Sequence, residues 1–236
     1  MEKIVFKTEN LASSYIVNMM GEILKKKKDA LLCLAAGHTS LPVFAEMIKA
    51  QNTGKIDFCK AHFVSMDEWK NIPSDNYGSC SNFLYRNCFE PLKIPETQIH
   101  VFDGMQNETE CTRIKKYIEN HGGIDFILLG MGLNGHLAMN EPGCSIDSSV
   151  RETGLADTTV KVAAKYFQNN MPEITAGYTI GIREILESKS IVLAVFGEHK
   201  KAAVQNLLKA NVTADCPASY LKTSDHAYLI LDEASA

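Results

Sequence analysis

The sequence is short of several things, and each shortage closes a class of function. No apolar run is long enough to span a bilayer, which argues against a transmembrane helix. No two of its seven cysteines (Cys33, Cys59, Cys80, Cys88, Cys111, Cys144 and Cys216) stand as a C-x-x-C pair. An odd number of thiols without that spacing argues against a zinc site or a disulfide framework, and for reduced cysteines in a cytoplasmic protein. Charge of neither sign is in large excess: the formal net charge is -4 and the pI near 6.0. So mild an acidity gives no electrostatic reason to bind nucleic acid or a membrane surface. Internal repeats, low-complexity tracts and domain linkers are missing too. The first residues, Met-Glu-Lys-Ile-Val-Phe-Lys, hold no long apolar core and no cleavage site, so no signal peptide is expected.

What is there is a chain of 236 residues, 45% of them hydrophobic, enough for a sizeable core and read as one domain over 1–236. Its centre of gravity is the stretch from Ile124 to Pro142. The apolar run Ile124 to Leu129 reads as a strand buried on both faces, as in a parallel sheet. Gly130, Gly132 and Gly135 follow, then His136 and Glu141. In open α/β sheets ligands bind beyond the carboxyl ends of the strands, so this turn is a candidate active-site floor. Gly130 to Gly135 also matches the G-x-G-x-x-G dinucleotide fingerprint. That fingerprint requires a helix to open at once, and Pro142, seven residues after Gly135, blocks one of the needed length. No nucleotide cofactor is expected. A lone His is commonly a structural one held by a backbone carbonyl; Glu141, five residues on, weakens that reading for His136.

Other strand ends carry similar signals. The strand read over 29 to 36 runs into Gly37-His38-Thr39-Ser40 and then a helical pattern containing Pro42. Thr39 or Ser40 is suited to cap that helix, and Pro42 is tolerated in its first turn. A small-residue turn with two hydroxyls before a helix suits a phosphate, because free N–H groups and the helix dipole both face it. It is not a Walker loop, since no Gly-Lys-Ser/Thr follows. The strand read over 61 to 66 ends in Asp67-Glu68-Trp69, where the bland alternative is a helix cap or surface turn. The strand read over 190 to 196 ends in Gly197-Glu198-His199-Lys200, with Lys200 in the first turn of a helix. The dipole disfavours a cation there, which makes sense beside an anionic ligand. Helices are expected over 10 to 28, 80 to 90, 108 to 120 and 182 to 187, short strands over 99 to 102 and 227 to 231, and a strand over Thr159 to Ala163. Strands alternating with helices predict an α/β fold with a mostly parallel, Rossmann-like sheet flanked by helices.

Taken together, these pieces resemble the glucosamine-6-phosphate deaminase and galactosamine-6-phosphate isomerase family, related more distantly to 6-phosphogluconolactonase. The resemblance is carried by Ala36-Gly37-His38-Thr39-Ser40-Leu41, Met66-Asp67-Glu68-Trp69, Gly122-Gly123-Ile124-Asp125, Gly135 to Pro142 and Gly197-Glu198-His199-Lys200. It implies a modified Rossmann sheet, no cofactor and no metal, and an amino-sugar phosphate as substrate. It further implies roles. Asp67 would be the base that moves a proton from C2 to C1 of the open-chain sugar, and His136 the group that opens the ring, supported by Glu141. Gly37, His38, Thr39 and Ser40 would hold the phosphate with Lys200, and Lys165 matches a basic residue of that site. Where glucosamine-6-phosphate deaminases carry Asp, two residues before the His, this chain has Asn134, which can orient a His but adds no charge. That departure, with Asp67-Glu68-Trp69, Asn107 to Cys111 and Pro217-Ala218-Ser219, looks more like the galactosamine-6-phosphate branch. The resemblance admits a homo-oligomer without setting its symmetry. Two rivals are lactone hydrolysis, which needs no C2 proton shuttle, and a non-catalytic sugar-phosphate sensor, for which a preceding helix-turn-helix segment is missing.

If Asp67 is the base, Asp67→Asn keeps sugar-phosphate binding and loses turnover by about 10²–10⁴-fold. The check is exchange of the C2 proton with solvent deuterium, which proceeds at the wild-type rate only if another group is the base.

Overall fold

A computed structural model of the chain describes residues 1–107, 109–167 and 172–236. Its strands are β1 (Glu2–Phe6), β2 (Leu31–Leu34), β3 (His62–Ser65), β4 (Asp67–Trp69), β5 (Ile99–His100), β6 (Phe126–Leu129), β7 (Arg151–Gly154), β8 (Ala176–Thr179), β9 (Ile191–Val195) and β10 (Ala227–Asp232). Seven of them form one sheet in the order β1-β10-β9-β6-β2-β3-β5, every neighbouring pair parallel. The mostly parallel α/β architecture expected from the alternation of elements is therefore present. Alternation along β2 shows how the sheet is buried. Leu32 and Leu34 join one core cluster, while Leu31 and Cys33 join the other. The first cluster is closed by α1 (Glu9–Lys26), by α2 (Leu41–Asn52), and by α3 (Cys80–Leu84) with its continuation through a π turn into α4 (Glu90–Leu92). The second is closed by α5 (Thr109–Asn120), α7 (Ile182–Glu187) and α8 (Lys201–Lys209).

The strand order places the candidate site. From β2 the chain winds outward through β3 to β5, then returns to lay β6 on the other side of β2 and winds outward again through β9 and β10. The reversal lies between β2 and β6. Loops leaving the carboxyl ends of two strands that diverge in this way leave a crevice, the usual ligand position in such sheets. The four segments singled out by sequence leave β9, β6, β2 and β3, four consecutive strands of the sheet.

Three expectations need correction. Thr159 to Ala163 is not a strand but part of α6 (Asp157–Ala163). The β-branched Thr158, Thr159, Val160 and Val162 favour a strand locally. Tertiary packing overrides them by burying Ala163 in a third cluster with Trp69, Ile72 and Phe167. Ser40 occupies the N-cap of α2, but its side chain makes no capping bond there; a single 3-10 turn, His38–Ser40, leads in instead. Asp67 to Trp69 is not only a strand end: as β4 it pairs antiparallel with β8, and β8 with β7, in a small second sheet that sequence reading missed. β1, an edge strand with alternating exposure, was missed too. Glu108, where the helix over 108 to 120 was expected to begin, lies outside the described residues. Among the described residues no helix is long and apolar enough to cross a membrane.

The second sheet is tied to α3 by one side chain. Glu68 is fully buried, and its carboxylate accepts from Trp69 N (2.9 Å), Cys80 N (2.9 Å), Ser81 N (2.8 Å) and Ser79 Oγ (2.6 Å). Burial raises the Glu68 pKa, and the charge-assisted bonds from Ser79, Ser81 and Cys80 oppose that rise without cancelling it. Glu68→Gln turns an amide NH₂ toward these donors and is expected to cost about 3 kcal/mol. The loss is read as a lower urea midpoint at unchanged slope.

Candidate active site

Asp67 and Glu68 are consecutive on a strand, so their side chains leave opposite faces. Glu68 goes inward to the start of α3, and Asp67 faces the crevice. Burial pushes the Asp67 carboxyl up to about 7, and the negative charge of Glu68 adds to this. The Cys80 thiol, hydrogen-bonded to Asp67, and the nearby His136 work the other way. The thiol itself is pushed well up by burial and by Asp67. The result is a carboxyl poised near neutrality, with an imidazole among its neighbours.

His136 sits in a tight loop after β6. The Gly132 amide donates to the His136 carbonyl at 3.1 Å, and the Gly135 amide to the Gly132 carbonyl at 3.0 Å. Gly135 has φ +83, which L side chains rarely adopt, and a Cβ on Gly132 would collide with the His136 ring. The middle glycine of the apparent dinucleotide fingerprint, Gly132, therefore makes room for an imidazole. Ala138 follows with φ 51, a strained setting for a non-glycine. Asn140 is buried and fixes the turn: its Nδ2 donates to the carbonyls of Leu137 (3.0 Å) and Ile180 (2.9 Å), and its Oδ1 accepts from Arg151 Nη1 (2.8 Å). Glu141 Oε2 lies 3.6 Å from His136 Nδ1, too long for a full hydrogen bond, and that buried nitrogen has no other partner among the described residues. Asn134 Nδ2 donates to Glu141 Oε2 at 3.0 Å, and the Thr159 hydroxyl donates to Glu141 Oε1. Burial works to raise the Glu141 pKa, but the nearby His136 imidazole, together with the bonds from Thr159 and Asn134, outweighs it and holds the group at about 2. The Asn134 carbonyl takes the His136 backbone N–H at 3.2 Å, not the ring as its expected orienting role suggests.

The third part of the site is basic. The turn His38–Ser40 opens α2, with Thr39 half-buried and Ser40 buried. His38 stacks on Tyr166, ring centroids 5.3 Å apart. Lys200 Nζ donates to the Met131 carbonyl at 2.8 Å, which ties this region to the His136 loop. Its pKa is lowered by burial and by the positive charge of Lys165, and that of His38 by burial and Lys165 likewise. Neither lysine joins a salt bridge among the described residues. Converging cations that lack a carboxylate partner are the arrangement an anion completes. A cavity of about 210 Å³ reaches from His38 and Lys165 past Tyr166, Cys80 and Trp69 to Arg86. A larger one, about 440 Å³, opens beside β7 at Cys111 and Arg151 and touches none of the candidate catalytic or phosphate-binding residues. Among the described residues no group of three His, Cys, Asp or Glu is placed to hold a metal ion.

The model of the glucosamine-6-phosphate isomerases/6-phosphogluconolactonase family matches residues 7–230. The chain belongs to this family. It is 30% identical over 230 residues to a glucosamine-6-phosphate deaminase of Caenorhabditis elegans, covering 96% of this chain and 86% of the relative. It is 33% identical over 216 residues to the putative deaminase AgaI of Escherichia coli K12, covering 89% and 82%. Among solved structures, a monomeric glucosamine-6-phosphate deaminase superposes with a TM-score of 0.94 at 29% identity, covering 100% of this chain and 98% of that one.

Within the family fold, sequence reading brought together the residues that the strand order brings together. It missed Thr159, Cys80 and Tyr166. Thr159 lay in a segment read as a strand, and nothing local ties it to Glu141, 18 residues earlier. Cys80 reads as one free thiol among seven. Tyr166 carries one signal, its place beside Lys165.

Gly132→Ala tests the steric role of the glycine loop. The added methyl is expected to push the His136 ring away from Glu141, with a stability loss of about 1–3 kcal/mol from overpacking. A crystal structure of the variant checks it: an unmoved imidazole contradicts the steric account.

Proposed function

We propose that the protein is a hexosamine-6-phosphate deaminase, converting an amino-sugar 6-phosphate and water to a ketohexose 6-phosphate and ammonia. The observation that carries this reading is the convergence of a near-neutral carboxyl, Asp67, with the His136–Glu141 pair, on a crevice whose other wall holds Lys165 and Lys200. The deaminase names of the relatives support it.

Each group has work suited to its setting. The phosphate rests on the turn from Gly37 to Ser40, between Lys165 and Lys200. His136 passes a proton to the ring oxygen and opens the pyranose. Glu141, kept ionised by the nearby imidazole and by two donors, Thr159 and Asn134, stabilises positive charge on that imidazole. Asn134 and Thr159 keep Glu141 turned toward the ring. Asp67 then takes the C2 proton and returns it to C1. A base with a pKa near the working pH is efficient in both directions. The double bond ends between C2 and nitrogen, and water hydrolyses that imine to the ketone and ammonia.

We infer galactosamine 6-phosphate as the preferred substrate and tagatose 6-phosphate as product, from the Leu-Asn-Gly-His-Leu sequence around Asn134. The alternative is glucosamine 6-phosphate with fructose 6-phosphate as product, which the names of two relatives favour. Lactone hydrolysis leaves Asp67 without a role, and a sensor has no use for a carboxyl poised near neutrality. Steady-state ammonia release from the two sugars side by side tests the whole reading, since lactonase and sensor release none.

The pH dependence has a definite sign. The Asp67 pKa is raised to about 7, so below that pH the carboxyl is protonated and accepts no proton from C2. On the acid side kcat/KM is expected to fall by about tenfold per pH unit, and to level off above neutrality. A rate independent of pH between about 5 and 8 counts against Asp67 as base.

A further inference from the structure

Tyr166 stands where the phosphate end of the crevice meets the carboxyl end. Its ring lies on the His38 imidazole, centroids 5.3 Å apart at 30°, and meets Phe83 edge-on at 6.4 Å and 88°. The Lys165 ammonium sits 5.1 Å from the same ring centroid. The phenol oxygen accepts from the His38 backbone N–H and lies 3.7 Å from where a Cβ on Gly37 would be. It shares a cavity with Cys80, whose thiol is hydrogen-bonded to Asp67. The phenol lines the cavity of about 210 Å³ beside Cys80, Lys165 and Trp69. A hydroxyl that accepts one bond still has its own proton to give.

A hexosamine 6-phosphate with its phosphate on the Gly37–Ser40 turn and C2 at Asp67 runs between those two points. C3 and C4 lie midway along that line. The Tyr166 hydroxyl lies against Gly37 and lines one cavity with Cys80, the hydrogen-bond partner of Asp67, so it faces the middle of the sugar. The galacto and gluco epimers differ only in which side of C4 carries the oxygen. A phenol packed against His38 and Phe83 cannot swing to follow it, and a fixed donor satisfies one configuration and not the other. We infer that Tyr166 is a specificity-determining residue whose hydroxyl donates to the C4 oxygen of the substrate and so separates galactosamine 6-phosphate from glucosamine 6-phosphate. The inference rests on the deaminase reading and names the group that sets its sugar preference.

The test is ammonia release by wild type and Tyr166→Phe on both sugars. Phenylalanine keeps the ring packing and removes only the oxygen. The expected result is a fall of about tenfold in kcat/KM for the better sugar and less than about threefold for the poorer, so that their ratio moves. General loosening of the pocket lowers both alike. Equal change in both, or none, overturns the inference and leaves the deaminase reading standing. If wild type releases ammonia from neither sugar, the deaminase reading fails and the inference with it. A second arm needs no variant: the 4-deoxy hexosamine 6-phosphate should drop to the level of the poorer epimer with wild type. A 4-deoxy sugar as good as the better epimer overturns the assignment, whatever the folding of Tyr166→Phe.

Discussion

The burial of the Glu68 carboxylate is the interaction on which the site depends. Four donors, three of them backbone amides, converge on a side chain with no access to water. That cradle locks β4 to the start of α3, which fixes the strand direction at Asp67 and places Cys80 beside it. It also puts a negative charge one residue from Asp67. In this low-dielectric setting a neighbouring carboxylate raises the cost of a second ionisation. One buried group therefore fixes the position of the next and adds to the burial that raises its pKa.

The loop after β6 shows a different constraint, steric room. A ring has to lie against the backbone of its own turn, so Gly132 can carry no Cβ. The middle glycine of what looks like a phosphate-binding loop is here a clearance for an imidazole. The same loop gives the Met131 carbonyl to Lys200, so the basic wall and the His136 turn hold each other. Lys200 keeps its place without an acidic partner, which leaves its charge available in the crevice. The switch in winding direction between β2 and β6 gathers these loops into one place.

Much of this was legible in the residues. Apolar runs such as Phe126 to Leu129 and Ile191 to Val195 announced buried strands. The residues just past the strand ends announced the chemistry: Gly-His-Thr-Ser, Asp-Glu-Trp, Gly-His…Glu, and Lys200 after a glycine. Local chemistry suffices there, because a strand buried on both faces and a turn that breaks it are properties of a few neighbouring residues. Elements whose partners are distant in sequence were not legible. α6 looked like a strand because its β-branched residues were weighed alone. The small second sheet was invisible because its three strands are short and far apart: the central one, β8, pairs through Thr179 with Asp67 on one side and with Arg151 on the other.

By itself, then, the sequence determined the α/β class and the parallel sheet and singled out four strand ends that prove to be neighbours, since periodicity and turn residues encode these locally. Only the tertiary structure decided how those ends act on one another. It gave Asp67 its raised pKa, through burial and Glu68, and turned the Asn134 carbonyl toward the His136 amide in place of the ring. It also laid Thr159 against Glu141 and Tyr166 against Gly37 and His38. Burial and the convergence of charges are properties of the assembled crevice, and no stretch of residues carries them alone.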